Sequence, residues 1–299
     1  MVQMDTIEKL QAFMDAYEYP VEAQTELVAA FTQAFSNAEY TQALTACVGE
    51  YEKDCKKGCW EALSLCKRIS QEAKLNVYSL YLSVLILLAD SSKKHYEAQG
   101  ISKEIWKQNF TDLRYKLYEC KLVKGVWGTF VPDWFIRFYD VSRFAFGKLQ
   151  FETEKFGREY CKDGVTLQKD SVVVNVHIPR TGERLAPQDA EEAFNKADEF
   201  FKARYGLEKV AFVCHSWLLY PENLKLLKPT SNLHSFISRF DIIEWEEYND
   251  YKEIWRLFDK DYTENLDELP ADTSFRRAYL ERMRKGEKTG CGFGVFIYK

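Results

Sequence analysis

The chain reads as an α+β protein, a helical N-terminal bundle followed by a mixed β-sheet domain with flanking helices. Two observations predict this. Up to about residue 125, apolar residues recur at helical spacing and almost nothing alternates with period two. From Val172 to Asp241 the texture changes to strand, helix, strand, short helix, strand. The length of 299 residues is long for one hydrophobic core, so two domains are expected, 1–125 and 126–299.

In the first half, Asp5-Thr6 opens a helix carrying Leu10, Phe13, Met14 and Tyr17, and Pro20 ends it. Val21 to Phe35 forms a second helix, and Glu39–Glu50 a third after the Ser36-Asn37 turn. Glu61–Ala73, Asn76–Ala89 and Lys103–Arg114 follow as helices. Cys55, Cys59 and Cys66 share one helical face with Leu63. No histidine stands near to complete a zinc set, so they read as small core residues and no metal site is expected. His95 reads as a solvated helix end.

Composition narrows the function. The balance of 41 basic and 46 acidic side chains gives a net charge of −5, against the basic excess of nucleic-acid binders. The most apolar run, Leu75–Ala89, is shorter than the roughly 20 residues a membrane span needs. The N-terminus shows no secretory h-region, and eight cysteines then point to reduced thiols and a cytoplasmic protein.

Val126-Trp127-Gly128 and Pro132-Asp133-Trp134 mark the joint. In Leu149–Glu152, Leu149 and Phe151 point one way and Gln150 and Glu152 the other, as in a half-buried strand. Next, Val172, Val174 and Val176 form one strand face, and Val173, Asn175 and His177 the other. Pro179 stops that strand, and Pro187 sits at the first position of a helix with acids in its opening turns. Val210–Ser216 is apolar on both faces, as a central strand is. Pro221 starts a short helix, Thr230-Ser231-Asn232 is cap or turn chemistry, and Phe236–Glu244 reads as a third strand. An acidic stretch from Glu246 to Glu268, a helix over Phe275–Lys285 and a strand from Phe293 close the chain.

The clusters FGKLQFE at 146–152, HIP at 177–179, CHSWLLYPENL at 214–224, SNLHSFISRF at 231–240 and TSFRRAYLERMRKG at 273–286 stand in an order that carries a resemblance. The chain resembles the bacterial acyltransferase family with a helical N-terminal domain and a GNAT-like C-terminal domain. The resemblance runs from about residue 127 to the end; the helical half matches in kind. It implies a mixed sheet splayed open where a thioester enters, and transfer of an acyl group from acetyl-CoA or another acyl-CoA to a small-molecule amine. It also implies a glycine-rich turn, between a strand and a helix N-terminus, that cradles the CoA pyrophosphate. Gly290-Cys291-Gly292-Phe293-Gly294 is glycine-rich but precedes a strand.

Acyl transfer needs a base for the amine proton, a donor to the thioester carbonyl and an acid for the thiolate. His177, at a strand end, is the candidate base. Ser216 and Asn232 are the other candidate catalytic residues, and Trp217, Arg239 and Arg276 the candidates for binding the acyl-CoA. Cys214 and His215 face opposite ways on one strand, which speaks against a Cys–His nucleophile pair. The rival reading is a GNAT-like protein without CoA chemistry that binds a small molecule or a protein; the misplaced glycines favour it.

Overall fold

The computed structural model describes residues 2–162, 164–251 and 253–298. It divides into two compact units, Met1–Phe144 and Ala145–Lys299.

The first unit is helical. Its elements are α1 (Val2–Ala16), α2 (Val21–Phe35), α3 (Ala38–Tyr51), α4 (Cys55–Ala73), α5 (Val77–Ala98), α6 (Lys103–Lys124) and the single turn α7 (Ile136–Tyr139). Side-chain oxygens of Asn37, Asp54, Asn76 and Ser102 cap α3 to α6 by accepting backbone N–H groups, and Gly125 ends α6 in the left-handed conformation. Leu10, Leu27, Leu63, Leu85, Phe110 and Leu113 fill the interior. Cys59 and Cys66 are fully buried among them. The helix α5 runs past Ala89, so His95 lies within it, half-buried against the Tyr51 ring at 5.2 Å, rather than at a solvated end.

The change of texture at Val126 is the end of α6, and the expected joint falls inside this unit. Residues 126–144 fold back on the bundle. Ser79 donates to Trp127 O at 2.8 Å, and Thr129 N–H donates to Tyr78 O at 3.1 Å. Buried Tyr51 and Tyr96 hydroxyls donate to Tyr139 O and Phe138 O. Gly128 lies so close to α5 that a Cβ there would meet the Tyr78 carbonyl carbon at 2.4 Å.

The second unit is built on β1 (Arg143–Phe146), where the chain passes from the first unit, and β2 (Leu149–Lys155). The small hairpin β3 (Tyr160–Lys162) and β4 (Val165–Leu167) follows, then β5 (Val172–His177) and the helix α8 (Pro187–Tyr205). After β6 (Ala211–Ser216) comes a single 3-10 turn, Trp217–Leu219. Next are α9 (Pro221–Leu224), α10 (Asn232–Ile237), β7 (Asp241–Tyr248), α11 (Trp255–Phe258), α12 (Ser274–Arg284) and β8 (Thr289–Ile297). The six-stranded sheet runs β1-β2-β5-β6-β8-β7. The pair β5–β6 is parallel and joined through α8, while β2–β5, β6–β8 and β7–β8 are antiparallel.

One face of the sheet packs on α8: the Phe194 ring lies 4.9 Å from Phe212 and 5.2 Å from Phe296. The opposite face carries Val173, Val213 and Val295, with Phe156, Tyr160 and Leu167 laid across them.

The expected strand Phe236–Glu244 is instead a helical turn followed by a strand. Ser231 caps α10 by accepting from His234 N–H at 3.2 Å. Phe236 and Phe240, four residues apart, then both reach the Phe194 ring, and β7 starts only at Asp241. The four-residue spacing of Phe236 and Phe240 is helical, and it buries both rings on α8.

Candidate active site

The site follows from how two strands pair. The strands β2 and β5 pair over six residues, as do β6 and β8. The central parallel pair β5–β6 is joined only at Val174↔Phe212 and Asn175↔Val213. Beyond these, β5 runs on to His177 and β6 to Ser216 without pairing to each other. The ladder is thus open at the carboxyl ends of two central parallel strands, where open α/β sheets take their ligands.

Register fixes what faces this opening. Gln150 opposes His177, and Glu152 opposes Asn175, so the four side chains form a block on one face of the sheet. Gln150 is 1% exposed and Glu152 7%. His177 Nε2 lies 2.8 Å from Glu152 Oε1. An ionised carboxylate only accepts, so with Glu152 ionised the hydrogen bond runs from His177 Nε2–H to Glu152 Oε1. The amide oxygens of Gln150 and Asn175 are buried and have no hydrogen-bond partner. His215 projects on the same face from β6, largely exposed, with Nε2 3.7 Å from Glu246.

Alternation in the sequence separates Gln150 and Glu152 from Leu149 and Phe151, but as the outer face of a half-buried strand. Their burial and their pairing with β5 depend on a contact between distant segments. Glu152, the partner of His177, is the residue of this block that sequence reasoning does not single out; its signal is an acid on the polar face of a short strand.

The other candidates lie elsewhere. Ser216 Oγ accepts from Leu218 N–H and caps the 3-10 turn, on the face opposite His177. Trp217 stacks on Phe275 of α12, with ring planes 7° apart and centroids 6.2 Å apart. Asn232 is the first residue of α10. Arg239 pairs with Glu191 at 2.5 Å and lies over the Phe194 ring. Arg276 donates to Asp259 at 2.5 Å, to Asp272 at 2.9 Å and to Leu257 O at 2.8 Å. None of these five is in the block that holds His177. Burial pushes the Cys214 thiol far above its ordinary value, which is the state of an inert thiol.

Gly290, Gly292 and Gly294 lie inside β8, and their role is steric. A Cβ on Gly292 would meet Leu219 O at 2.1 Å, and one on Gly294 would meet Leu219 Cδ2 at 2.7 Å. Without side chains there, the 3-10 turn after β6 can lie flat on β8. The place of a pyrophosphate loop, between a strand and a helix N-terminus, is instead held by residues 178–186. That loop has one glycine, Gly182 at φ +82°, and two arginines, Arg180 and Arg184. Arg180 is ion-paired with Asp259, and Arg184 is exposed. Lys148 binds Asp189 and Arg184 O at 2.9 Å each, tying the start of α8 to β2. A separate groove of about 640 Å³, lined by Pro221, Leu227, His234, Ile242 and Trp245, lies against β7, on the α8 face.

Residues 8–141 match the N-acyltransferase N-terminal domain, and residues 144–296 match the GNAT-like C-terminal domain. No curated protein matches the chain. Several crystal structures of acyltransferases share the fold. One in complex with decanoyl-CoA and teicoplanin is 18% identical, with a TM-score of 0.71, over 98% of this chain and 88% of that one. A second, in complex with decanoyl-CoA, is 18% identical with a TM-score of 0.68, over 96% and 86%. A third, in complex with CoA and 10C-teicoplanin, is 16% identical with a TM-score of 0.61, over 96% and 98%. With both halves matched in order, this chain belongs to the acyltransferase family that joins an N-acyltransferase N-terminal domain to a GNAT-like C-terminal domain.

Proposed function

We propose that this protein moves a medium-length acyl group from acyl-CoA to the nitrogen of a small-molecule amine, with His177 as base. The observation that carries this reading is the open β5–β6 ladder with the His177–Glu152 pair at its lip. An unpaired strand edge offers backbone N–H and C=O groups to an extended pantetheine arm, as a sheet edge does to a peptide. The same N–H groups are donors for the thioester carbonyl as it becomes an oxyanion.

In the proposed step the amine nitrogen attacks the thioester carbon and the N–C bond forms. His177 Nδ1 takes the amine proton, and the carboxylate of Glu152 stabilises the resulting imidazolium through Nε2–H. Collapse of the adduct breaks the C–S bond, and the electron pair leaves with the CoA sulfur, which then takes a proton. In place of a glycine-rich cradle, the loop before α8 offers the exposed Arg184 to the CoA phosphates. The acyl length is taken from the decanoyl-CoA held by the related structures.

No helix among the described residues is long and apolar enough to cross a membrane, and all eight cysteines are free. Free thiols suit substrates met in the cytoplasm.

The test is decanoyl-CoA binding by calorimetry, with amine-dependent thiol release, on the native chain and on His177→Ala. The expected result is binding by both and turnover about 10²–10⁴-fold lower in the variant. Absence of decanoyl-CoA binding would overturn the reading and leave a GNAT-like binding protein.

A further inference from the structure

A second histidine stands across the opening from His177. The ladder joins Asn175 to Val213, so two residues further on His177 of β5 and His215 of β6 fall level with each other, where the strands have parted. Alternation puts both on the sheet face that carries Val173 and Val213. Each has a carboxylate on its outer side. Glu152 of β2 bonds to His177, and Glu246 of β7 has Oε1 3.7 Å from His215 Nε2. The two imidazoles differ in their surroundings. The His177 side chain is 18% exposed, whereas that of His215 is 53% exposed and its ring lies 6.3 Å from Phe293. Among the described residues no hydrogen bond occupies the His215 ring nitrogens; the 3.7 Å approach to Glu246 is too long for one. A sheltered, fixed imidazole suits the removal of one defined proton. An exposed one can give up a proton and recover it from water.

We infer that His215 is the acid of the transfer and gives a ring proton to the CoA sulfur as it departs. This rests on the acyl-transfer reading above, which does not name the source of that proton. In the step, the amine nitrogen bonds to the thioester carbon and its proton passes to His177. The C–S bond then breaks and its electron pair moves to sulfur. The sulfur takes the proton from a His215 N–H, so the imidazolium becomes neutral imidazole and the thiolate becomes the CoA thiol. An alkyl thiolate is more basic than an imidazole, so this transfer runs downhill. The amine arrives and the sulfur departs on different sides of the carbonyl carbon. One histidine on each strand of the open ladder therefore serves one side each. A protonated imidazole has two N–H donors, so one can meet the sulfur while the other stays toward Glu246. Water then recharges the exposed His215 and takes the proton held on His177, and the pair is ready for the next turnover.

The experiment compares the native chain, His215→Ala and His177→Ala on two thioesters, decanoyl-CoA and S-decanoyl-4-nitrothiophenol, with phenethylamine as acceptor. The nitrothiophenolate is a weak base and leaves without a proton. With decanoyl-CoA, His215→Ala is expected to lower kcat about 10²-fold, the lower end of what a positioned acid supplies, with KM within about twofold. Most of that loss is expected to disappear with the aryl thioester. His177→Ala is expected to slow both, because the amine proton must be removed whichever thiol leaves. The exposed side chain of His215 makes no hydrogen bond, so the melting temperature of His215→Ala is expected to hold. An unchanged kcat with decanoyl-CoA would overturn the inference, since His177 would then return the proton itself. So would a loss of equal size on both thioesters, the mark of a structural role, or a raised KM with kcat unchanged, the mark of a binding role. A native chain that binds no decanoyl-CoA overturns the acyl-transfer reading instead.

Discussion

His177 Nε2 and Glu152 Oε1 lie 2.8 Å apart across the antiparallel pair β2–β5, one register step from the point where β5 leaves β6. The carboxylate fixes the imidazole's tautomer and its ring plane together. Glu152→Ala is therefore expected to lower kcat at least about tenfold, a modest part of what a positioned base supplies. The KM for decanoyl-CoA should stay within about twofold, since Glu152 acts through His177 and not on the thioester. Steady-state kinetics on the folded variant checks the split; a rise in KM with kcat unchanged would assign Glu152 to binding.

The start of α8 is pinned by Asp189, whose carboxylate accepts from Ala186 N–H and from Lys148. The hydrogen bond from Lys148, and then that from Ala186, hold its pKa below the ordinary 3.8. A folded-state pKa below the unfolded one contributes stability above the unfolded value, and that contribution is lost as pH falls through the folded one. The native chain should lose melting temperature below about pH 4 more steeply than Asp189→Asn, which lacks this contribution at every pH. Melting curves from pH 2 to 7 on both proteins give the comparison, and parallel curves would refute it.

The glycines of β8 make a steric prediction. Gly292→Ala puts a methyl group into the Leu219 carbonyl, where only a backbone shift makes room. The expected destabilisation is about 1–3 kcal/mol, as for overpacking of a filled core. Gly157→Ala, with nothing within 4 Å and no left-handed φ, is the control and should be close to neutral. Thermal denaturation of the two variants measures the difference.

Cys214 is 1% exposed and its thiol is held protonated by burial, whereas Cys161 is exposed. Iodoacetamide at neutral pH should label Cys161 and leave Cys214 unmodified. Cys214→Ala should retain turnover within about threefold, because no thiolate takes part in direct transfer. An acyl-enzyme trapped on Cys214 would contradict both.

Much of this architecture is legible in local sequence. Pro20, Asn37 and Asn76 mark helix limits, and Pro179 and Pro187 those of the loop between β5 and α8, whereas α4 starts at Cys55 rather than Glu61 and α6 runs to Lys124 rather than Arg114. Alternation puts Asn175 and His177 on one face. The less legible features are non-local. Glu152 and His177 are 25 residues apart, and only strand pairing joins them. Gly290, Gly292 and Gly294 are misplaced for a phosphate-binding turn in sequence already, but their steric role shows only once the chain segment lying on them is known. Residues 236–240 read as the start of a strand, yet two phenylalanines four apart, at helical spacing, settle on one helix. Arg276 and Arg239 look available in sequence because their carboxylate partners, Asp259 and Glu191, are distant in the chain.

The most direct measurement is backbone hydrogen exchange with and without decanoyl-CoA. The open ladder should close around the pantetheine, so Val176 and His177 of β5 and His215 of β6 are predicted to exchange more slowly in the complex, with β7 unchanged. Protection confined to β7 and the groove at Trp245, with β5 and β6 unaffected, would contradict the placement of the thioester between these strands.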